Sequence, residues 1–436
     1  MNPRYAAGLG RMLACATVSH QPYDDAEFAK LRAAVQALFP LFSAKAERRI
    51  FSDDCWVYRL PGRNADRAIM LMNHHDVAEV NNPAEWAHPP FGGEVFEEAV
   101  WGRGAVDTKG PLYAALQAIE ELLCEGWQPP CDLYLASSHN EECAGDGIPT
   151  AVRWFTEQGI LLDWVLDEGG AIIDAPLPGI SQKCAMIAVH EKGRCLVTCR
   201  ADEAAFHGGL SPKADTPVTR MARFIADISG KPPFRTRLYP EVAAMFTALA
   251  PHMRFPLRTV FSHLRIFGAP LVRLMPKLNP QAGAMVGTSC AFTAIEGSST
   301  AHACTASAFL RCVRADDLTA DLEAFRAVAA KYGVTAEVAE NDFHTPADLH
   351  SPALAYLRAC VAEVFPDVLS APYLLPAGTD ARHFSEICSS VLRFAPIVLT
   401  PQQFASVHGK NENLSVQALS DAITFYKRLL KGWQLR

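Results

Sequence analysis

The sequence predicts an α/β protein, a sheet with helices on both faces, interrupted by an inserted domain of different texture. Three observations predict it. Short apolar strands alternate with amphipathic helices in the first third, acidic residues recur just past the strand ends, and a change of pattern between about Glu191 and Phe343 gives way to strand–helix alternation again near His350. At 436 residues and 50% apolar composition the chain can bury more than one core, and its expected division is 1–190, 191–345 and 346–436.

Helical periodicity runs from Glu27 to Leu38, and Ala68 to Asn73 reads as an apolar strand. Gly110 opens a helix with Pro111 near its first position, an apolar stripe of Leu112, Leu116, Ile119 and Leu123, and Gly126 placed to end it. Leu133–Ala136 and Trp164–Leu166 are further strands, each followed closely by acids. In open α/β sheets binding sites lie beyond the carboxyl ends of strands. The inserted region carries strands Cys195–Cys199 and Cys290–Ile295 around a helical run rich in Pro and Arg. Helix Leu354–Val364, strand Ser390–Phe394 and a last helix Val416–Leu430 complete the pattern.

A net charge of −7, with acids and bases interspersed, leaves no electrostatic footprint for nucleic acid or an anionic membrane, so the expected partner is a small molecule. The 13 cysteines follow no repeated spacing and read as reduced thiols. No stretch has the roughly 20 apolar residues of a membrane span or the run of a signal peptide, and the expected location is the cytoplasm.

In Asn73-His74-His75-Asp76, His74 and Asp76 sit two apart at a strand end and point the same way, which suits a metal-binding imidazole oriented by an acid. In Trp101-Gly102-Arg103-Gly104-Ala105-Val106-Asp107-Thr108-Lys109-Gly110, Asp107 stands at a strand-to-helix junction, where its two oxygens can bridge two cations or simply cap the helix. Glu141-Glu142 after the next strand offers one ligand and one proton acceptor, or else a solvated acidic turn. Asp167-Glu168-Gly169-Gly170 is the third strand-end acid, and His408 in Val407-His408-Gly409-Lys410-Asn411-Glu412 returns late in the chain.

Together and in this order these motifs resemble the two-zinc metallopeptidase family M-twenty, which includes aminoacylase, acetylornithine deacetylase, succinyl-diaminopimelate desuccinylase and glutamate carboxypeptidase. The resemblance implies a zinc-peptidase-like catalytic domain with a mixed sheet, and an inserted α+β lid and dimerisation domain opening at Glu191-Lys192-Gly193. It implies His74 and Glu168 on one Zn²⁺, Glu142 and His408 on the other, and Asp107 between them, with Mn²⁺ or Co²⁺ as substitutes. Asp167 is the alternative to Glu168. Glu141 would be general base and acid, Asp76 the partner of His74, and His207, in Phe206-His207-Gly208-Gly209, would steady the oxyanion, in family dimers from the partner subunit. Gly378-Thr379-Asp380-Ala381-Arg382 resembles a substrate-facing loop.

The implied reaction is hydrolysis of a peptide or N-acyl amide bond beside an amino acid, by a homodimer. A catalytically silent metal- or metabolite-binding homologue is the other reading, against which Glu141 speaks, since a binder needs ligands but no base. A serine hydrolase is a poor third reading, since no Gly-x-Ser-x-Gly elbow occurs and Gly287-Thr288-Ser289-Cys290-Ala291 fails at its last position. The chain departs from the family in the lid: Ser298 to Ala303 lacks the usual asparagine, and Gly287 stands where relatives often carry an arginine for a substrate carboxylate. The apolar and basic stretch from Phe255 to Pro276 resembles the carboxypeptidase S and N-fatty-acyl-amino-acid hydrolase branch, and reads either as an acyl-chain pocket or as packing in the lid or its dimer interface.

Overall fold

The structure is a computed structural model that describes residues 3–19, 23–202, 215–278, 280–297 and 303–433. A ten-stranded mixed sheet forms its centre. Strand Asn64–His74 lies inside it, parallel to Cys131–Ser138 on one side and to Leu162–Asp167 on the other. Beyond Leu162–Asp167 come Val391–Arg393 and Lys183–Glu191, and Leu369–Leu375 pairs with the last of these. The three parallel strands therefore end together, and His74, Ser138 and Asp167 mark that edge. The strands are buried on both faces, as a parallel sheet requires. Helices Lys109–Cys124 and Val416–Gly432 pack together on one face. Helix Gly147–Glu157 closes the other face over Val57, Met70 and Tyr134.

Lys183–Glu191 runs straight into Gly193–Asp202, which belongs to a separate four-stranded antiparallel sheet with Ser289–Gly297, Ala303–Cys312 and Val334–Asp342. Helices Pro217–Gly230 and Ala315–Lys331 cover one face of it, burying Cys195, Cys199, Phe224 and Phe325 in its own core. All 13 cysteines are free thiols. The elements match the expected ones with longer bounds: the expected Leu133–Ala136 strand runs from Cys131 to Ser138, and the expected helix at Gly110 starts at Lys109. Ser390–Phe394 is shorter than expected, Val391–Arg393, although both flanking residues still bond to the neighbouring strand, Val165 N–H donating to Ser390 O at 3.0 Å and Phe394 N–H to Asp167 O at 2.7 Å.

One buried carboxylate joins the two ends of the chain at the sheet edge. Glu412 is fully buried and accepts from Gly104 N at 3.1 Å, Val106 N at 2.8 Å, Asp107 N at 3.0 Å and Arg103 Nη1 at 2.8 Å. Arg103 Nη2 in turn donates to Gly409 O at 2.9 Å. The turn this holds is tight: Gly104 has φ +88°, and a Cβ there would lie 2.7 Å from Val77 Cγ1. Glu412→Ala strands a buried guanidinium and several amide donors, so unfolding in urea should show a loss of about 3–5 kcal/mol. A loss below about 1 kcal/mol would mean that the clamp is incidental.

Candidate metal centre

Strand Asn64–His74 delivers His74 to the sheet edge with its ring buried. Nδ1 donates to Asp76 O at 3.0 Å and lies 3.3 Å from Asp76 Oδ1, while Nε2 donates to Asp107 Oδ1 at 2.9 Å. Asp76, also fully buried, accepts from Ser19 Oγ and, at 3.1 Å, from Glu142 N. A single acid thus orients the His74 ring and the backbone of the Glu141–Glu142 turn. His75 points the other way, stacked on Trp56 at 3.8 Å, and burial holds it neutral with its pKa down at about 4.

Asp107 does not cap the following helix. Thr108 is the N-cap residue, and the Asp107 carboxylate turns into the cleft, with Oδ2 accepting from His408 Nε2 at 2.9 Å. Each of its oxygens therefore meets a different histidine, the disposition a bridging ligand needs. His408 Nε2 also lies 3.2 Å from Glu142 Oε2. One donor atom each from His74, Asp107 and Glu142 fall within 4.8 Å of one another, and Glu142 Oε1 is buried with no hydrogen-bond partner. Convergent imidazole and carboxylate donors, one left orphaned, fit a hard or borderline divalent cation.

Asp167 and Glu168 separate clearly. Asp167 accepts from Ala381 N at 3.1 Å and so supports the Thr379–Arg382 loop. Burial, together with the like charges of Asp107, Asp167 and Glu142 and against the opposing pull of His74, pushes the Glu168 pKa well above the usual carboxylate range. Burial, reinforced by Asp380 and Glu168, does the same to Glu141. The acid pair stands on a tight turn closed by Ala144 N to Glu141 O at 2.8 Å and Gly145 N to Asn140 O at 2.8 Å. A Cβ on Gly145 would lie 2.1 Å from Asn140 Nδ2, so Asn140 packs against the bare glycine at the end of the turn. His207 and the Ser298–His302 segment lie outside the described residues.

Two cavities flank this constellation. A cleft of about 430 Å³ is lined on one side by Glu141, Glu142 and His408 and on the other by Arg194, Arg311, Arg382 and His344. Arg194 and Arg311 are register partners on adjacent strands of the inserted sheet. Arg382 donates to Thr379 O at 2.7 Å and Asp342 Oδ2 at 3.2 Å. Gly287, where relatives were expected to carry an arginine, accepts through its carbonyl from the buried Lys192 Nζ at 2.8 Å. Arg382 belongs to the loop expected to face substrate, whereas Arg194 and Arg311 were not foreseen, because cations on antiparallel strands resemble any solvated sheet face. The second cavity, about 130 Å³, lies beside Asp107 and Glu168 and is walled by Ala171, Ala395, Ile397, Leu399, Phe404 and Val407. The Phe255–Pro276 stretch lines neither.

Without metal, hydrogen bonds from Asp107 and then Glu142 raise the His408 pKa to about 10, and the carboxylates of Asp107 and Asp76 raise that of His74. Both charges stabilise the metal-free fold below the ordinary histidine pKa of about 6.5, and the His408 contribution is lost as pH rises through about 10. A cation competes with those protons. Metal affinity should therefore climb with pH over that window, and calorimetry at pH 8 in buffers of different ionisation enthalpy should register proton release. Binding with no proton release would refute this account.

The Peptidase family M20/M25/M40 model matches residues 70–432. Probable carboxypeptidase S-like 2 of Dictyostelium discoideum is 27% identical over 417 residues, covering 93% of this chain and 79% of its own. N-fatty-acyl-amino acid synthase/hydrolase PM20D1 of Bos taurus is 30% identical over 372 residues, covering 82% and 72%. A solved M20-family metallo-carboxypeptidase from Sulfolobus solfataricus superposes with a TM-score of 0.70 at 18% identity, covering 99% of both chains. With its catalytic sheet, inserted domain and group of metal-binding side chains, the chain belongs to peptidase family M20/M25/M40 and is a hydrolase-family enzyme.

Proposed function

We propose that the protein hydrolyses the amide bond of an N-acyl amino acid, using two zinc ions held by His74, Asp107, Glu142, Glu168 and His408. The observation that carries this reading is the chemical asymmetry about the ligands: on one side a polar cleft whose far wall carries Arg194, Arg311 and Arg382 beside Glu191 and Asp342, and on the other an apolar cavity. A substrate with its scissile bond between them presents a carboxylate to Arg194, Arg311 and Arg382 and an apolar acyl group to Ile397, Leu399 and Phe404. A peptide carrying a free amino group would put a second charge against the apolar wall, which favours the N-acyl reading over the dipeptidase one. In this reading 1–190 and 346–436 form the catalytic domain and 191–345 the lid. The lid also mediates a homodimer, with the exposed edge strand Ser289–Gly297 as its contact, and a monomer at every concentration in sedimentation would refute that.

When bound, the metal pair supplies a polarised carbonyl and a water whose pKa falls from 15.7 to about 7. The remaining work belongs to side chains. Asp76 fixes the tautomer of His74 by accepting a hydrogen bond from its Nδ1–H. Glu141, which lines the cleft beside the ligands without a hydrogen bond to any of them, receives the proton of the attacking water and returns it to the leaving nitrogen. His207 is assigned the oxyanion. Arg311 anchors the carboxylate; the Phe309 ring lies 5.2 Å from its guanidinium.

Two variants test the reading. Glu141→Gln should lower kcat by about 10²–10⁴ with metal content unchanged; retention of full activity would remove Glu141 from the mechanism. Arg311→Ala should cut kcat/KM by about tenfold to a hundredfold for an N-acyl amino acid and leave its carboxamide analogue unaffected. Equal losses on both substrates would show that Arg311 is not the carboxylate anchor.

A further inference from the structure

Between Glu241 and Glu296 the chain places none of its 47 acidic residues and five basic ones, Arg254, Arg258, Arg265, Arg273 and Lys277. The net charge of −7 concealed this, because the rest of the chain more than compensates. In the structure the segment forms helices Leu257–Ser262, Leu264–Leu278 and Pro280–Ala284, packed beside Pro240–Leu249.

Helix Leu264–Leu278 uses only one side for packing. Gly268, Val272 and Met275 are buried, and Leu264 and Leu271 half-buried, against the core that contains Met186, Phe246 and Leu374. At four-residue spacing Ile266, Pro270, Leu274 and Leu278 form a row on the opposite side, and Arg265, Ala269, Arg273 and Lys277 form the next row. Both rows face water. Ile266 is 69% exposed, Leu274 50% and Leu278 62%, and Phe255, just ahead of the helices, is 83% exposed. All five cations are exposed as well, and their own segment offers no carboxylate to pair with them.

We propose that this face docks on an anionic lipid surface. Cations interleaved with large apolar side chains match the boundary between headgroups and acyl chains: the apolar tips enter it while Arg and Lys, on long stems, reach phosphate oxygens. Charge complementarity selects this occupant. A second copy of the chain, docking by two-fold symmetry, would set one group of cations against the same group. A nucleic acid would answer the cations but leave Phe255, Ile266, Leu274 and Leu278 in water. The contact is superficial, since among the described residues no helix is long and apolar enough to cross a membrane.

The face also connects to the cleft. Lys192, which lines the cleft, donates from Nζ to Ala284 O at 3.0 Å and Gly287 O at 2.8 Å, at the end of the same helical segment. Docking would therefore hold the cleft wall close to the lipid, although the proposal stands without any assumption about the reaction catalysed.

The test uses the full chain and two sets of vesicles, phosphatidylcholine alone and phosphatidylcholine mixed with phosphatidylglycerol. The protein should co-sediment with the mixed vesicles at low salt and be released as salt screens the cations. The variants Arg265→Glu/Arg273→Glu and Ile266→Ser/Leu274→Ser should each weaken partitioning about tenfold or more. Because all four positions are exposed, the thermal midpoint should stay put, which separates lost docking from lost folding. Absence of co-sedimentation, equal affinity for both vesicle types, or variants that partition like the parent would overturn the proposal. So would a lipid-free dimer that Ile266→Ser/Leu274→Ser converts to monomer, because the face would then be an interface between copies.

Discussion

The structure turns on a concentration of like charge. Asp107, Glu142 and Glu168 are brought together at one sheet edge with Glu141 beside them, while Asp76, Asp167 and Asp380 press from behind. Carboxylates this close and this dry cannot all ionise without a counter-charge. Without metal, the answer is visible in the protonation states: His74 and His408 hold on to their protons, and Glu141 and Glu168 resist losing theirs. Such an arrangement is an energetic debt that a divalent cation cancels. The parallel strands, the Glu412 clamp and the Asp76 tether all serve to keep the repelling groups in place.

The surroundings of that centre divide the labour of recognition. The catalytic sheet provides the ligands and the apolar cavity, while the inserted sheet sends Arg194 and Arg311 across to face them. In the proposed reaction the metal ligands and two of the carboxylate anchors thus come from different modules, while Arg382 and the acyl-side cavity stay with the catalytic sheet. Relatives named carboxypeptidase S-like and N-fatty-acyl-amino acid synthase/hydrolase align with this chain over most of its length, across both modules.

Much of this was legible in the chain itself, for a physical reason. Each candidate ligand before the insertion lies at or just beyond a strand end, so local pattern and site coincide at His74, Glu142 and Glu168. Glu412 was not legible, because nothing local separates a buried acid that gathers three backbone amides from a solvated one four residues after His408. Arg194 and Arg311 escaped for a similar reason: they meet through strand register, not through sequence neighbourhood, and only the loop that carries Arg382 was singled out beforehand. The Phe255–Pro276 stretch was noticed for its composition, but its role followed only when helix Leu264–Leu278 showed which side was packed. A charge count over the whole chain erased the local imbalance that a single face preserves.

The position of His408 has a consequence for folding. His74, Asp107, Glu142 and Glu168 all precede the inserted domain, whereas His408 and Glu412 follow it. Until the segment after the insertion packs back against the sheet edge, the turn at Asp107 lacks both the histidine on its Oδ2 and the carboxylate that gathers its amides. The candidate centre is therefore assembled by tertiary closure across the insertion, and the inserted domain must leave that return path open.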